Sequence, residues 1–266
     1  MSVRVHNLCI FALICISIRH VAGTTTTSTP SPPRYVAKPI SIRRVPYMAS
    51  LHECPRGACL ASVIHKRFLL TAASSLVLDW KGNLANLTKA RVGSKYLDKG
   101  GQLYAIEKLI PHEKYLTFVG DYNIGLVKLA KKIDFGSTVG QIKLGKKVII
   151  GDLVDIIGWG VGENLQNSTK GAVHEVSSLP VLVPRRCQGA LLGRIIHPRN
   201  MCVEIAGVPP GDFVCDEGGP VVVNNSIVGV GSTFWGCGLL PGVYTRVSRV
   251  KRWIRQAIDN NTYIEF

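Results

Sequence analysis

Acidic residues are scarce in this chain. Against 32 lysines and arginines stand 17 aspartates and glutamates, a formal charge of +15 over 266 residues. That imbalance excludes an acidic surface and favours anionic partners, sulfated glycans or anionic membranes, although solubility alone also accounts for it. Long apolar runs are as scarce. Leu8 to Ile18 spans 11 residues, whereas about 20 are needed to cross the ~30 Å hydrocarbon core, so no transmembrane segment is expected. No metal-ligand spacing stands out and no nucleic-acid-binding signature is present, so neither a cofactor nor a nucleic-acid partner is expected. Helical periodicity is missing from all but the last twenty or so residues, which argues against an all-helical fold.

What is present begins with the leader. Arg4 and His6, the apolar run and Val21-Ala22-Gly23 make residues 1–23 a secretory signal peptide. Removing Arg4 and Arg19 with it leaves +13. Cys9 and Cys15 leave as well, and the six remaining cysteines, 54, 59, 187, 202, 215 and 237, form an even set of the kind that builds disulfides in an exported chain. Asn86, Asn167, Asn224 and Asn260 begin Asn-x-Ser/Thr triplets, which agree with export. Residues 24–34 are a Thr/Ser/Pro-rich, propeptide-like segment that cannot bury a core. From Tyr35 onward, short β-branched runs such as Val154-Asp155-Ile156-Ile157, Val221-Val222-Val223 and Ile227-Val228-Gly229-Val230 alternate with Gly and Asn, as in an all-β sandwich or barrel. Val247, Val250, Trp253, Ile254 and Ala257 then fall at helical spacing, with Arg249, Lys251, Arg252 and Arg255 on the other face.

Val214-Cys215-Asp216-Glu217-Gly218-Gly219-Pro220 resembles the Gly-Asp-Ser-Gly-Gly-Pro nucleophile loop of trypsin-like serine proteases, with Glu217 at the serine. Thr71-Ala72-Ala73-Ser74 resembles Thr-Ala-Ala-His, with Ser74 at the general base. Asn123-Ile124-Gly125-Leu126-Val127-Lys128-Leu129 resembles Asp-Ile-Ala-Leu-x-Lys-Leu, with Asn123 at the orienting aspartate. Arg34-Tyr35-Val36-Ala37, Pro46 to Leu51, Ile157-Gly158-Trp159-Gly160 and Pro241 to Val247 follow in the family's order. The resemblance implies an all-β fold of two six-stranded antiparallel barrels with a C-terminal helix. It places a peptidase S1-like domain over 35–266, with the first barrel at about 35–130, the crossover near Lys131 to Lys147, the second barrel at about 148–246 and the helix at about 247–258.

The same resemblance implies the framework and the remnants of the site. Cys187 and Cys202 sit where the family bridges a loop. Cys237 faces a cysteine displaced to Cys215, and Cys54 is left for Cys59, so the expected bridges are 54–59, 187–202 and 215–237. A further family bridge is absent at both ends, where Val154 and Val223 stand. Arg34, Tyr35 and Asp216 are the remnant of the activation switch, in which a freed N-terminus pairs with the aspartate. Gly211, Thr233 and Phe234 are the remnant of the specificity pocket, with Phe234 either projecting into the cleft or packing on its own surface and leaving the cleft open.

Hydrolysis in that family needs an alcohol activated by an imidazole that a carboxylate orients. Ser74, Asn123 and Glu217 supply none of these in its place. His52, His65, His112, His174 and His197 are candidate substitute bases by type, but the resemblance sets His65 in a turn before its strand and the rest in loops or edges, where structural or solvated roles are the commoner outcome. A glycosidase needs two facing carboxylates. Asp216 is expected to turn inward, and Asp121 to lie at the surface. The expectation is a secreted, monomeric, non-catalytic serine protease homologue, of a kind frequent in insects, that acts by binding proteins as regulator, cofactor or decoy. The alternatives are a cationic protein for acidic glycans or anionic membranes and, behind both, an active serine endopeptidase.

Overall fold

Strand follows strand from Met48 onward because the apolar residues recur in short runs cut by turns. The structure, a computed structural model, describes residues 35–54, 59–77, 83–160, 172–192, 195–206, 216–232 and 240–262. Its strands are β1 (Lys38–Pro39), β2 (Met48–Leu51), β3 (Cys59–His65), β4 (Phe68–Thr71), β5 (Lys89–Val92), β6 (Gln102–Pro111), β7 (Gly125–Leu129), β8 (Lys143–Leu144), β9 (Leu153–Gly158), β10 (His174–Leu182), β11 (Asn200–Val203), β12 (Pro220–Val223), β13 (Ser226–Gly231) and β14 (Gly242–Arg246). Helix α1 (Pro184–Ala190) lies between β10 and β11, and α2 (Val247–Thr262) ends the described chain.

Two rings result. Strands β2-β3-β4-β7-β6-β5 close a six-stranded barrel through the β2–β5 pairing, and β10-β11-β14-β13-β12-β9 close a second through β9–β10. Every pairing within the rings is antiparallel. Closure removes the exposed edges that a flat sheet would leave. The first barrel fills with residues such as Met48, Leu60, Phe68, Leu69, Leu70 and Leu126, all fully buried. The second holds Val154, Ile156, Leu179, Met201, Val221 and Tyr244. The β9–β12 register, with Val222 opposite Asp155, sets Val223 beside Val154 in that apolar cluster. Two aliphatic side chains thus pack where the family's bridge would be.

Three expectations need adjustment. Residues 35–39 do not begin the first barrel. Lys38 and Pro39 pair with Glu175 and His174 of the second ring, and Tyr35 and Ala37 pack on its apolar cluster. Backbone donors at a sheet edge outweigh proximity in sequence here. His65 closes β3 rather than sitting in a turn before it, and its Nδ1 accepts the Arg67 N–H at 3.2 Å. Helix α2 runs to Thr262, beyond 258, while burying Val247, Val250, Ile254 and Ala257 as its periodicity requires. The 54–59 and 187–202 disulfides are present. Cys187 is carried on α1, too short a helix to announce itself by periodicity. Cys215, Cys237, Arg34, Gly211, Thr233, Phe234, Asn167 and the leader lie outside the described residues. Among the described residues no helix is long and apolar enough to cross a membrane.

Candidate functional site

Ser74 leaves the first barrel at the end of β4. Thr71 there donates its hydroxyl to Leu60 O at 2.6 Å, and the chain then turns through a 3₁₀ turn over Ala73–Ser75 that holds Ser74 buried. Asn123 immediately precedes Ile124 and β7, the strand paired with β4, so its fully buried side chain arrives beside Ser74. Glu217 comes from the second barrel, in the turn before β12. Its carbonyl accepts the Leu60 N–H at 2.8 Å, which pins that turn to β3 of the first barrel. Gly218 follows with φ +80°, and a Cβ there would overlap Leu60 O and Thr71 Oγ1. Only glycine allows this close approach without strain.

The three side chains, far apart in sequence, form one hydrogen-bond chain. The Ser74 N–H donates to Asn123 Oδ1 at 2.8 Å. The Asn123 amide donates to Ser74 Oγ at 2.9 Å and to Ser232 Oγ at 3.0 Å. The Ser74 hydroxyl donates in turn to Glu217 Oε1. Thr245 adds a hydrogen bond from its hydroxyl to Asn123 O at 2.8 Å. An amide with one carbonyl and two N–H groups fits this setting, because it donates to two hydroxyls where a carboxylate only accepts. Ser232 and Thr245 were missed in the sequence. Ser232 directly precedes the Thr233-Phe234 remnant, and its position there was the available signal.

The candidate bases are held elsewhere. The side-chain partners of Ser74 are Asn123 and Glu217, neither of them a histidine. His52 accepts from Arg91 Nε at 3.2 Å, and its ring is held below the ordinary imidazole range by burial and by Arg91. Burial, then Lys132 and Arg67, lower His65 in the same direction. His112 is buried, stacks on Trp253 with centroids 4.6 Å apart, and is held low chiefly by that burial. His174 Nδ1 lies 2.6 Å from Ala172 O. Among the described residues no group of three His, Cys, Asp or Glu side chains is placed to hold a metal.

Asp121 is not the surface residue expected. It is buried and grips Arg199, which follows α1 in the second half, with Nε to Oδ1 at 2.8 Å and Nη2 to Oδ2. Tyr122 N–H donates to Oδ1 at 2.9 Å, His197 Nδ1 lies 3.6 Å from Oδ2, and the guanidinium sits 4.1 Å from the Tyr122 ring centroid. Burial pushes the Asp121 carboxyl up, but Arg199 and the Tyr122 N–H pull it further down, to a net value below the ordinary aspartate range. Asp216 is also buried. Its Oδ2 accepts the N–H groups of Trp159 at 2.6 Å and Gly160 at 3.1 Å, so the inward-turned carboxylate is held by the backbone just after β9. The Tyr35 side chain packs on the second-barrel cluster instead, where burial and Glu204 raise its hydroxyl.

A small hollow of about 20 Å³ lies beside Ser232, walled by Val119, Leu191, Ile195 and Val243, and Leu116, Phe118, Leu192 and Ile195 are exposed. Asn86, Asn224 and Asn260 are exposed as well.

Two closed antiparallel barrels with a site assembled from both define the scaffold of the chymotrypsin-like serine proteases. The chain matches the family described as Trypsin over residues 36–254. It is 29% identical to Trypsin 5G1 of Aedes aegypti over 82% of each chain. It is 32% identical to Hypodermin-B of Hypoderma lineatum over 81% of this chain and 83% of that one. To the vitellin-degrading protease of Bombyx mori it is 28% identical over 93% of this chain and 94% of the other. The chain belongs to the trypsin family of serine endopeptidases.

Proposed function

We propose that this chain is a secreted, non-catalytic member of the trypsin family that works by binding a protein partner. One observation carries the reading: Ser74, Asn123 and Glu217 meet in a single hydrogen-bond chain in which, among the described residues, no imidazole takes part and a carboxylate stands at the position of the nucleophile. Acyl transfer by this family needs a nitrogen base beside a nucleophilic hydroxyl. Losing the base or the nucleophile from a comparable triad costs on the order of 10⁶ in turnover. An amide in place of the orienting carboxylate costs about 10⁴ by itself. Fold membership does not restore the chemistry, because function resides in the site. The exposed Ile195, which lines the hollow beside Ser232, gives a partner apolar surface to cover there.

The test is hydrolysis of peptide amides and esters by the protein cut after Arg34, together with labelling by an active-site fluorophosphonate. The expected result is no turnover above buffer and no label. Turnover that follows the pure protein through successive columns sinks the reading. The triple restoration Ser74→His, Asn123→Asp and Glu217→Ser is expected to recover little, since Cys215 and Phe234 replace residues that the family uses in the oxyanion hole and the pocket.

A further inference from the structure

A second surface shares no residue with the site above. Strand β8 runs parallel to β13, with Lys143 opposite Ser226. Helix α2 passes beside it, and Lys251 donates from Nζ to Leu144 O at 2.9 Å and Gly145 O at 3.3 Å. Between these elements and the Asn224-Asn225 turn lies a groove of about 510 Å³. Among the described residues four lysines line it, Lys143, Lys146, Lys147 and Lys251, against one acidic residue, Asp152. Lys143, Lys146 and Lys147 are exposed.

One wall continues into an apolar turn. Val148 and Asp152 both line the groove, and the residues between them project outward, with Ile149 58% and Ile150 55% exposed, followed by Leu153 at 57%. The turn is fixed rather than loose. Ile149 N–H donates to Asp152 Oδ2 at 2.8 Å, Gly151 N–H to Val181 O at 2.8 Å, and Asp152 N–H to Ile149 O at 3.2 Å. Its aliphatic side chains therefore stay exposed instead of folding back on the barrel.

We propose that this face docks on an anionic lipid bilayer, with the lysines holding phosphoryl or carboxylate headgroups in the groove and Ile149 and Ile150 entering the interface. The pairing of features selects the partner. Basic residues next to exposed aliphatics match a surface that is negative outside and apolar beneath. A sulfated polysaccharide uses the lysines but leaves the aliphatics without a role. Single-stranded nucleic acid gains its affinity from aromatic stacking, and among the described residues none that lines the groove is aromatic.

The experiment is co-sedimentation of the purified protein with phosphatidylcholine vesicles, with or without about 30% phosphatidylserine. Asn224 opens onto the groove within an Asn-Asn-Ser triplet, so N224Q is measured beside the wild type to remove any sugar there. Comparing variants that share the rest of the chain cancels contributions from outside the face. Binding is expected only with the anionic lipid, weakening as salt rises from about 0.1 M to 0.5 M. K143Q/K146Q/K147Q is expected to weaken it about 100-fold, at about fivefold per lysine. I149S/I150S is expected to weaken vesicle binding at least about tenfold while leaving heparin retention and the thermal midpoint unchanged. Lys251 is kept, because it also holds β8 to the helix. Absence of anionic-vesicle binding by N224Q, or full binding by I149S/I150S, overturns the proposal. Retention on heparin without any vesicle binding overturns it too, in favour of a polysaccharide.

Discussion

Arg199→Met tests whether the two halves of the molecule are braced at the cleft. The substitution keeps an unbranched apolar stem and removes the guanidinium. Asp121 then loses two hydrogen bonds and its counter-charge, keeping the Tyr122 N–H and the His197 ring as neighbours. Stranding one member of a fully buried pair costs about 3–5 kcal/mol. Here the Asp121 side chain is 10% exposed but that of Arg199 is 28% exposed, so water recovers part of the loss and about 2 kcal/mol is the reasoned figure. For a domain of this size that lowers the thermal midpoint by about 4–8 °C. Asp121→Asn should cost a similar amount, and the double variant less than their sum by about 1 kcal/mol or more. The pH dependence has a definite sign. The folded Asp121 carboxyl lies below its ordinary value, so its stabilisation is complete above about pH 4 and is lost as the pH falls through the lower folded value. The gap between wild type and Arg199→Met must therefore close on the acid side. Calorimetry between pH 7 and strong acid, at matched salt, measures all of this. A midpoint shift under about 1 °C, or a double variant that is strictly additive, refutes the brace.

Gly218→Ala should be among the most damaging small changes, costing about 3 kcal/mol or more, because the added carbon meets Leu60 O and Thr71 Oγ1 at a positive φ; a denaturant midpoint equal to that of wild type contradicts this packing. Non-reducing peptide mapping should return the 54–59 and 187–202 bridges, with 215–237 as the third and no free thiol. A free Cys54 breaks the framework of the first barrel. We also expect cleavage after Arg34 to let the new Tyr35 ammonium compete for Asp216, which the Trp159 and Gly160 amides hold in this structure. The cut chain should differ from the intact one in thermal midpoint and partner binding, and Asp216→Asn should erase the difference. Equal values in both assays, with Asp216→Asn silent, remove the switch.

Local chemistry is what the sequence by itself determined. The β-branched runs bounded by Gly and Asn became strands, because a strand needs only a few residues in a row. The i, i+3, i+4 spacing of Val247, Val250, Ile254 and Ala257 gave the buried face of α2. The short 54–59 bridge joins residues five apart. The convergence of Ser74, Asn123 and Glu217 was legible only through the motifs around them, since nothing in their spacing brings them together. Tertiary structure decided what depends on distant backbone groups and on burial. It attached Lys38–Pro39 to the second barrel through edge hydrogen bonds. It buried Asp121, 78 residues from Arg199, because a carboxylate leaves water only where a guanidinium meets it. It also set Lys251 and Asn224 around the same groove as Lys143 to Lys147, an arrangement that follows from where β8, β13 and α2 cross and from no linear pattern.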